Sequence, residues 1–432
     1  MKGFVIAAPS SGSGKTTITL GLLRLLRNQG FQVTSGKAGP DFIDPQFHTL
    51  ALAKECVNFD PWGMREELLL DQTAAATSQG EILVIEAMMG LFDGAADGTG
   101  SAADLAKLLD LPVILVLDCA KLSHSVVAIV HGFQSFRSDI EIAGVILNKV
   151  GSSRHEHMLR EAIEPLGVKV FGAVMRDKAL SLPERHLGLV QAFEHPLMDQ
   201  FIEHAARKLK DGVAVDDIIN DLADTSHKRA DSLGKIPPLG QRIAIAKDLA
   251  FSFIYPHLLE GWKEQGAEIS FFSPLSDEGP ADDCDAVYLP GGYPELHAEA
   301  IAEADDFRKS MLNVAQRGAK IYGECGGYMT LGEGLIDADD NHHRMLGLLP
   351  VETSFAERKR NLGYRNVKVK SDFFGVSNFT AHEFHYSTEV KNSGKAPLFS
   401  ATDALGRDLG SFGAQVGNIA GSYLHIIDRA DG

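Results

Sequence analysis

Two short segments of this chain combine residue types that could do chemistry. The first, APSSGSGKTT at residues 8–17, follows a short apolar run and precedes a helical pattern. A strand, a Gly/Ser-rich turn, a Lys-Thr pair and a helix in that order predict a phosphate-binding loop. The second, GECGGYM, places Cys325 between small residues after an apolar run. A strand-to-helix turn of that kind would project a nucleophilic thiol.

The glycines and the Lys-Thr pair predict how the phosphate-binding loop works. Glycines let the backbone turn tightly enough for several N–H groups to face one anion, and the following helix adds its positive end. Lys15 can reach the terminal phosphates, and the Thr16 hydroxyl can ligate Mg²⁺. Pro9 stands where the usual pattern has its first glycine. The predicted nucleotide-binding residues are Gly12, Ser13, Gly14, Lys15, Thr16 and Thr17.

Acidic residues follow two further predicted strands, in KAGPDFIDP and EAMMGLFDG. In an open α/β sheet, ligands bind beyond the carboxyl ends of the strands. We therefore expect Asp41 and Glu86, with the loop threonine, to hold a metal ion. Lys37, Asp44 and Asp93 are expected to handle the substrate. A turn or helix cap is the commoner role of a single loop aspartate, but four acids beside one phosphate loop favour function.

Backbone groups upstream of the thiol could stabilise a reaction intermediate. LPGGYPE ends another predicted strand, and the N–H groups of Gly291 and Gly292 could form an oxyanion hole. We also expect the N-terminus of the helix after Cys325 to lower the pKa of its thiol.

A cysteine nucleophile needs a base. His425 in GSYLHI is our choice, and His382 and His385 in AHEFHYS are rivals. A buried, hydrogen-bonded ring is the ordinary alternative for each histidine. The pattern around the cysteine is more specific than the pattern around any one of them.

Apolar runs alternate with amphipathic segments along both halves of the chain, which predicts α/β architecture with parallel sheets. Strands are predicted at 4–9, 82–88, 112–118, 142–147 and 168–174, then at 242–247, 268–272, 286–290 and 320–323. Helices are predicted at 16–28, 157–166 and 256–265. Asn148-Lys149 ends one strand, where it either contacts the nucleotide base or makes a turn.

A polar segment separates the two halves. Residues 211–240 contain many charged side chains and end near Pro237-Pro238, as interdomain linkers often do. The sequence therefore predicts a first domain at 1–210, a linker at 211–240 and a second domain at 241–432.

Composition narrows the class of partner. The chain has 432 residues and a net charge of −17, which argues against a nucleic-acid or anionic-membrane partner. Its four cysteines form no CxxC pair, and no apolar stretch approaches the length of a membrane span. No secretory cleavage site fits the N-terminus, so we expect a cytoplasmic protein.

Nine segments together resemble one known family, the a,c-diamide synthases of corrin biosynthesis. They occur in order across both domains: APSSGSGKTT, KAGPDFIDP, EAMMGLFDG, AKDLAFSFIYP, LPGGYPE, GECGGYM, LGYR, HEFHYS and GSYLHI. The resemblance implies a dethiobiotin-synthetase-like P-loop domain with a parallel sheet. A class I glutamine amidotransferase domain with a flavodoxin-like α/β fold would follow it. It also implies Mg²⁺ as cofactor and ATP, L-glutamine and a corrin-ring carboxylic acid as partners, and a homodimer is expected on base rates alone.

The resemblance further implies a mechanism. Glutamine would be hydrolysed at Cys325 through a thioester, with His425 as base and acid. Ammonia would pass to the N-terminal site, where Mg-ATP phosphorylates a ring carboxylate and ammonia displaces the phosphate. The c and a acetate side chains would be amidated in turn. Ordinary class I amidotransferases carry a Glu two positions after the His, but here that position is Ile427. The group that orients His425 is thus unassigned.

Three alternatives stay open. The opening IAAPSSGSGKTTITLGLLR is most similar to the cobalt-free branch, which favours hydrogenobyrinic acid, but cobyrinic acid or another tetrapyrrole is the first alternative. The second is cobyric acid synthase, which usually has a longer chain. The third is a P-loop switch or metallochaperone ATPase. MinD-like proteins have a signature Lys where Ser10 stands, and a switch has no use for Cys325.

Overall fold

The chain divides into two compact units. A computed structural model describes residues 2–180, 197–223, 225, 234–393 and 396–430. Unit 1 is Met1–Leu233 and unit 2 is Gly234–Gly432. Among the described residues, no helix is both long enough and apolar enough to cross a membrane.

Unit 1 is built on a parallel sheet of seven strands with helices between them. The strands are β1 Lys2–Ala7, β2 Val33–Ala38, β3 Val57–Phe59, β4 Ile82–Glu86, β5 Val113–Asp118, β6 Ile142–Val150 and β7 Lys169–Met175. They lie in the order β3-β2-β4-β1-β5-β6-β7, and every neighbouring pair is parallel. The α-helices are α1 Lys15–Asn28, α2 Asp44–Leu52, α3 Glu66–Ala76, α4 Ala102–Leu108, α5 Val126–Phe136, α6 Ser153–Ile163, α7 Met198–Gly212 and α8 Val215–Asp221. Single 3₁₀ turns lie at Glu164–Leu166 and Lys178–Leu180.

The predicted linker overlaps unit 1. Helix α8 lies within residues 211–240, and Val215 and Ile218 are buried in the apolar core of unit 1. A spacing of three residues places these two apolar side chains on one face of the helix, and that face packs on the core. The first domain therefore extends beyond residue 210, and the boundary between the units falls after Leu233.

The described residues of unit 2 form three sheets. Its strands are β8 Arg242–Ala246, β9 Glu268–Phe272, β10 Ala286–Leu289, β11 Lys320–Glu324, β12 Gly334–Ile336, β13 His342–Arg344, β14 Val351–Ser354, β15 Asn361–Val369, β16 Asn378–His385, β17 Thr388–Asn392, β18 Phe399–Asp403, β19 Asp408–Phe412, β20 Ala414–Val416, β21 Ile419–Ser422 and β22 Leu424–Arg429. The α-helices are α9 Pro256–Glu264, α10 Ala298–Glu303, α11 Asp305–Gln316 and α12 Gly326–Leu331. Further 3₁₀ turns lie at Pro274–Ser276 and Pro294–Leu296.

The largest sheet of unit 2 has the strand order of flavodoxin. Strands β9-β8-β10-β11-β21 are parallel, which is the 2-1-3-4-5 order, and β20 adds an antiparallel edge. A second sheet, β13-β12-β14-β17, is mixed, and a third, β19-β18-β15-β16-β22, is antiparallel. The sequence did not predict these two sheets.

Helices α1 and α7 pack closely because a glycine lies between them. A Cβ on Gly21 would lie 2.6 Å from Leu209 Cδ1 and 2.9 Å from the backbone carbon of Ala205. We expect Gly21→Ala to lower the free energy of unfolding of unit 1 by about 1–3 kcal/mol, because the helices must separate. Gly132, in α5, has open space around its missing Cβ, so Gly132→Ala should be neutral or stabilising. Calorimetric melting of both variants tests this, and equal melting temperatures would contradict the packing argument.

Candidate active sites

The loop between β1 and α1 has the backbone geometry of an anion-binding cradle. Gly12 and Gly14 adopt φ angles of 79° and 90°, in the left-handed region that favours glycine. The Ser13 hydroxyl donates to the carbonyl of Ser10 at 2.9 Å, which closes the turn. Lys15 then begins α1, so the helix N-terminus faces the same point.

Strand β6 braces this loop. Asn148 Nδ2 donates to the carbonyl of Ser13 at 3.0 Å, and a Cβ on Gly14 would lie 2.2 Å from the same nitrogen. Lys149 Nζ donates to the carbonyl of Gly12 at 3.1 Å and to Asp118 at 2.7 Å. The Asn-Lys pair at the end of β6 therefore fixes the loop.

The predicted acidic residues meet beside the loop. Thr16 Oγ1 donates to Glu86 Oε1 at 2.7 Å, which joins the start of α1 to the end of β4. Lys37 Nζ, at the end of β2, lies 2.5 Å from Asp44, 3.2 Å from Glu86 and 3.7 Å from Asp41. The structure thus brings Lys37 together with three of the four acids.

Buried charge of both signs stabilises this cluster. Burial opposes the charge of Glu86, but Lys37 and His48 outweigh it and lower the pKa of Glu86. Burial also opposes the charge of Lys37, but Asp44 and Glu86 outweigh it and raise the pKa of Lys37. For Asp44 burial is the larger influence, and it raises the pKa of this carboxyl to about 7 despite Lys37. Lys37 is therefore the internal counter-ion of the acids.

His48 is a site residue that sequence reasoning missed. Its Nε2 lies 2.8 Å from Glu86 Oε2, and its Nδ1 lies 3.5 Å from Cys56 Sγ. Burial opposes its charge, but Cys56 and Glu86 outweigh it and raise the pKa of His48 to about 10. A signal was available: His48 follows Asp44 by four residues on one helix, which places both on one face.

Lys15 and Asp93 complete the geometry of this site. Burial lowers the pKa of Lys15, and Lys37 acts in the same direction, whereas the carboxylates of Glu86 and Asp93 oppose them. Asp93 is exposed, and its Oδ2 accepts the N–H of Gly90 at 2.8 Å. Gly90 in turn lies against the phosphate loop, because a Cβ there would be 2.7 Å from the Pro9 carbonyl.

The oxygen atoms beside the loop fit a magnesium ion. A hydroxyl from Thr16 and a carboxylate from Glu86 are in contact, and both are the hard donors that Mg²⁺ prefers. Asp41 Oδ1 accepts the N–H groups of Ile43 and Asp44, which leaves its second oxygen towards Lys37. Within the described ranges, no three His, Cys, Asp or Glu side chains are grouped to hold a metal ion by themselves. A magnesium ion here would depend on nucleotide phosphates as well.

The second site is centred on Cys325, which lies on a strained turn between β11 and α12. Its φ of 45° and ψ of −102° are rare for a residue with a side chain. Its N–H donates to the carbonyl of Ser422 at 2.8 Å. Gly327 allows the turn to pack on β10, because a Cβ there would be 1.9 Å from the Leu289 carbonyl. This is the geometry of a nucleophile elbow.

The N-terminus of α12 does not give this thiol the lowered pKa that we expected, because burial outweighs it. Burial raises the pKa of Cys325 well above its usual range, and the carboxylate of Glu295 acts in the same direction. The N–H of Gly326 opposes them. Helix α12 has only six residues, so its dipole is weak, while the side chain is almost fully buried. A thiol buried in this way would need a base to take its proton before it could act as a nucleophile.

The Gly291-Gly292 turn contacts both the base candidate and the elbow. A Cβ on Gly291 would lie 2.3 Å from Cε1 of His425. The Gly292 nitrogen is 3.1 Å from where a Cβ on Gly326 would be, directly after the nucleophile. Burial, with His382 and His385, lowers the pKa of His425 to about 3. His425 is thus neutral at rest, and a neutral imidazole has one ring nitrogen with a lone pair that a proton could take.

His385 is excluded as the base by its hydrogen bonds. Its Nδ1 lies 2.9 Å from the Ser387 carbonyl, and its Nε2 lies 2.9 Å from Glu383 Oε1. Burial opposes the charge of Glu383, but His385 and Arg365 outweigh it and lower the pKa of Glu383. Both ring nitrogens therefore lie against oxygen acceptors, so neither is directed at the thiol to take its proton.

His382 remains near the base but in a different position. It lies directly opposite His425 in the β16–β22 pair. Contact with the Gly291 turn distinguishes His425 from this rival.

Both units match known protein families. Residues 4–190 match the CobQ/CobB/MinD/ParA nucleotide binding domain, and residues 242–431 match the CobB/CobQ-like glutamine amidotransferase domain. A Rhizobium meliloti (strain 1021) protein named hydrogenobyrinate a,c-diamide synthase is 58% identical over 431 residues, 100% of both chains. The proteins of that name from Sinorhizobium sp and Brucella anthropi are 56% and 55% identical. They cover 100% and 99% of this chain, and 99% of each relative is covered.

The chain belongs to the hydrogenobyrinate a,c-diamide synthase family. The predicted resemblance and fold class are confirmed. The chain is a glutamine-dependent amide-forming ligase with a nucleotide-binding domain, because the family combines these two domains. A switch or metallochaperone ATPase would not need the second domain.

The contact between Gly291 and His425 gives a test of the base. In Gly291→Ala the new methyl group must displace the imidazole, so we expect glutaminase activity to fall roughly 10²-fold. Activity with ammonia in place of glutamine should persist, because unit 1 is unchanged. Gly261→Ala in α9 is the matched control, since its Cβ would meet only the flexible side chain of Lys235 at 3.3 Å. Release of glutamate measures the effect, and full activity of Gly291→Ala would argue against His425 as the base.

Proposed function

We propose that the chain converts hydrogenobyrinic acid to its a,c-diamide with ATP and glutamine, a step of cobalamin biosynthesis. One observation carries this proposal: the same chain holds a braced phosphate loop with buried acids and a cysteine elbow with a histidine beside its glycine turn. The names of relatives 55–58% identical over essentially the whole chain support the substrate.

The glutaminase reaction would take place in unit 2. Cys325 Sγ attacks the carboxamide carbon of glutamine while His425 takes the thiol proton. Backbone N–H groups of Gly291 and Gly292 are the proposed donors to the oxyanion. His425 then returns the proton to the leaving nitrogen, and ammonia departs as the thioester forms. Water, deprotonated by His425, releases glutamate and restores the thiol.

The amide-forming reaction would take place in unit 1. A ring carboxylate attacks the terminal phosphoryl group of ATP, ADP leaves, and an acyl phosphate forms. Ammonia attacks the acyl carbon, and inorganic phosphate leaves. Lys15 and the N–H groups of the loop bind the phosphates. Lys37, Asp44 and Asp93 are proposed to handle the ring carboxylate and the ammonia.

Mg²⁺ is the proposed cofactor, held by Thr16, Glu86 and Asp41 together with the phosphates. When bound, it would neutralise charge on the transferred phosphoryl group. We also propose a cytoplasmic location, consistent with four free cysteines, and a homodimer on base rates.

The alternatives differ in substrate. Cobyrinic acid carries the same acetate side chains on a cobalt-containing ring, and other tetrapyrroles offer carboxylates as well. Names of the relatives favour the cobalt-free ring, so cobyrinic acid serves as the competing substrate in the test below.

Mass spectrometry of the product tests the function. With Mg-ATP and glutamine we expect hydrogenobyrinic acid to gain two amides, and to be converted faster than cobyrinic acid. Cys325→Ser should lose glutamine-dependent amidation by roughly 10³-fold or more and keep amidation from free ammonia. Cys284→Ser is the control, because Cys284 is a buried cysteine of the same unit that precedes the amino end of β10, whereas the elbow follows the carboxyl end of β11.

Two results would overturn parts of the proposal. If glutamine were hydrolysed without any ring amidation, the glutaminase part of the proposal would stand and the substrate assignment would be wrong. If cobyrinic acid were converted faster than hydrogenobyrinic acid, the substrate would be the cobalt-containing ring.

A further inference from the structure

We propose that Glu324, the residue directly before the nucleophile, is the positioning residue of His425. This inference rests on the proposed glutaminase reaction, in which His425 is the base. An imidazole that accepts a proton at one nitrogen works best when an acceptor holds the N–H of the other nitrogen. Ile427, on the same strand as His425, is apolar and fully buried, so it cannot do this.

The distance and burial of the two groups support the assignment. Glu324 Oε2 lies 3.7 Å from His425 Nδ1, and both side chains are no more than 3% exposed. That separation is slightly longer than a hydrogen bond and is an ion-pair distance when the ring is protonated. A hydrogen bond would need the two atoms to approach each other by about half an ångström.

The carboxylate is fixed to the strand that carries the histidine. Glu324 Oε1 accepts the N–H of Ile426, the residue after His425, at 3.1 Å. Glu324 Oε2 accepts the hydroxyl of Tyr288 at 2.8 Å. These bonds join β11, β10 and β22 at one carboxylate. They therefore fix the position of the Glu324 carboxylate relative to the backbone beside His425.

Glu383, another buried carboxylate of this region, already accepts hydrogen bonds from two other side chains. Glu383 accepts from Arg365 at 2.6 and 2.8 Å and from His385 at 2.9 Å. Its charge is balanced by these two neighbours. Glu324 has instead a tyrosine hydroxyl and a backbone N–H, which direct it without neutralising it.

The chemical role follows from burial. When His425 takes the thiol proton, an imidazolium forms where water is excluded, and an unpaired buried cation is costly. A carboxylate at 3.7 Å stabilises that cation and favours the tautomer with its proton on Nδ1. The opposite nitrogen is then left to accept the proton from Cys325.

The pH dependence has a definite sign. Burial raises the pKa of Glu324 to about 7, while the Ile426 N–H and the Tyr288 hydroxyl oppose this. Below pH 7 the carboxyl becomes protonated and can no longer stabilise the imidazolium. We therefore expect kcat for glutamine hydrolysis to fall as the pH drops below 7, and this fall is the acid limb of the pH profile. Groups that face the pair are the Tyr288 and Tyr322 hydroxyls and the rings of His382 and His385.

Glu295 could produce a similar acid limb. Burial raises its pKa to about 7 as well, and it acts on Cys325. The test must therefore show that the limb depends on Glu324 itself.

The experiment uses the full-length chain and measures glutamate release from glutamine against pH. In Glu324→Gln, which keeps the shape of the side chain, we expect kcat to fall roughly 10²-fold with little change in KM. The acid limb near pH 7 should disappear, and amidation from free ammonia should stay within twofold of the unchanged chain. Glu324→Asp keeps a carboxylate and should recover part of kcat together with the acid limb. Glu333→Gln is the control, since Glu333 is an exposed carboxylate of the same unit.

The results separate this inference from the proposed function. Wild-type kcat and an unchanged acid limb in Glu324→Gln would overturn the positioning role while Cys325→Ser stays inactive. Equal loss in the Gln and Asp variants, with the limb unchanged in both, would also overturn it. If the unchanged chain released no glutamate from glutamine, the proposed function would fail first.

Discussion

Ligands of an open parallel sheet bind beyond its carboxyl edge, where the ends of several strands meet, and both sites of this chain follow that constraint. In unit 1 the phosphate loop follows β1, Lys37 is the second-last residue of β2, and Glu86 ends β4. In unit 2 the Gly291 turn follows β10 and Cys325 follows β11. These strands are direct neighbours in their sheets, so residues far apart in sequence become contacts.

The two sites handle buried charge in different ways. Unit 1 keeps its charges and pairs them: Lys37 lies among three carboxylates, and His48 supports Glu86 from the other side. Such a preorganised cluster suits phosphoryl transfer, in which the protein mainly positions the reactants and stabilises their charge. Unit 2 keeps Cys325 and His425 neutral at rest, because burial disfavours both ions. On these two side chains charge would appear only during the reaction.

Sequence reasoning predicted what depends on local order. Strand β9 was predicted at the bounds observed, and the phosphate loop and the elbow lie between a strand and a helix as expected. It missed the antiparallel sheet that carries His425, because β16 pairs with β22 across more than forty residues and periodicity does not encode such pairing. It gave the wrong direction for the pKa of Cys325, since the degree of burial is a tertiary property. His48 escaped notice for the same reason, although its spacing from Asp44 was a usable signal.

The central claim is that nitrogen released at Cys325 becomes the amide nitrogen formed at the phosphate site. Glutamine labelled with ¹⁵N in its amide group, given with Mg-ATP, hydrogenobyrinic acid and unlabelled ammonium, tests it most directly. The account predicts a diamide whose two new amides both carry ¹⁵N, and loss of the label with Cys325→Ser. A diamide with only unlabelled nitrogen in the unchanged chain would contradict the account, because glutamine would then not be the donor.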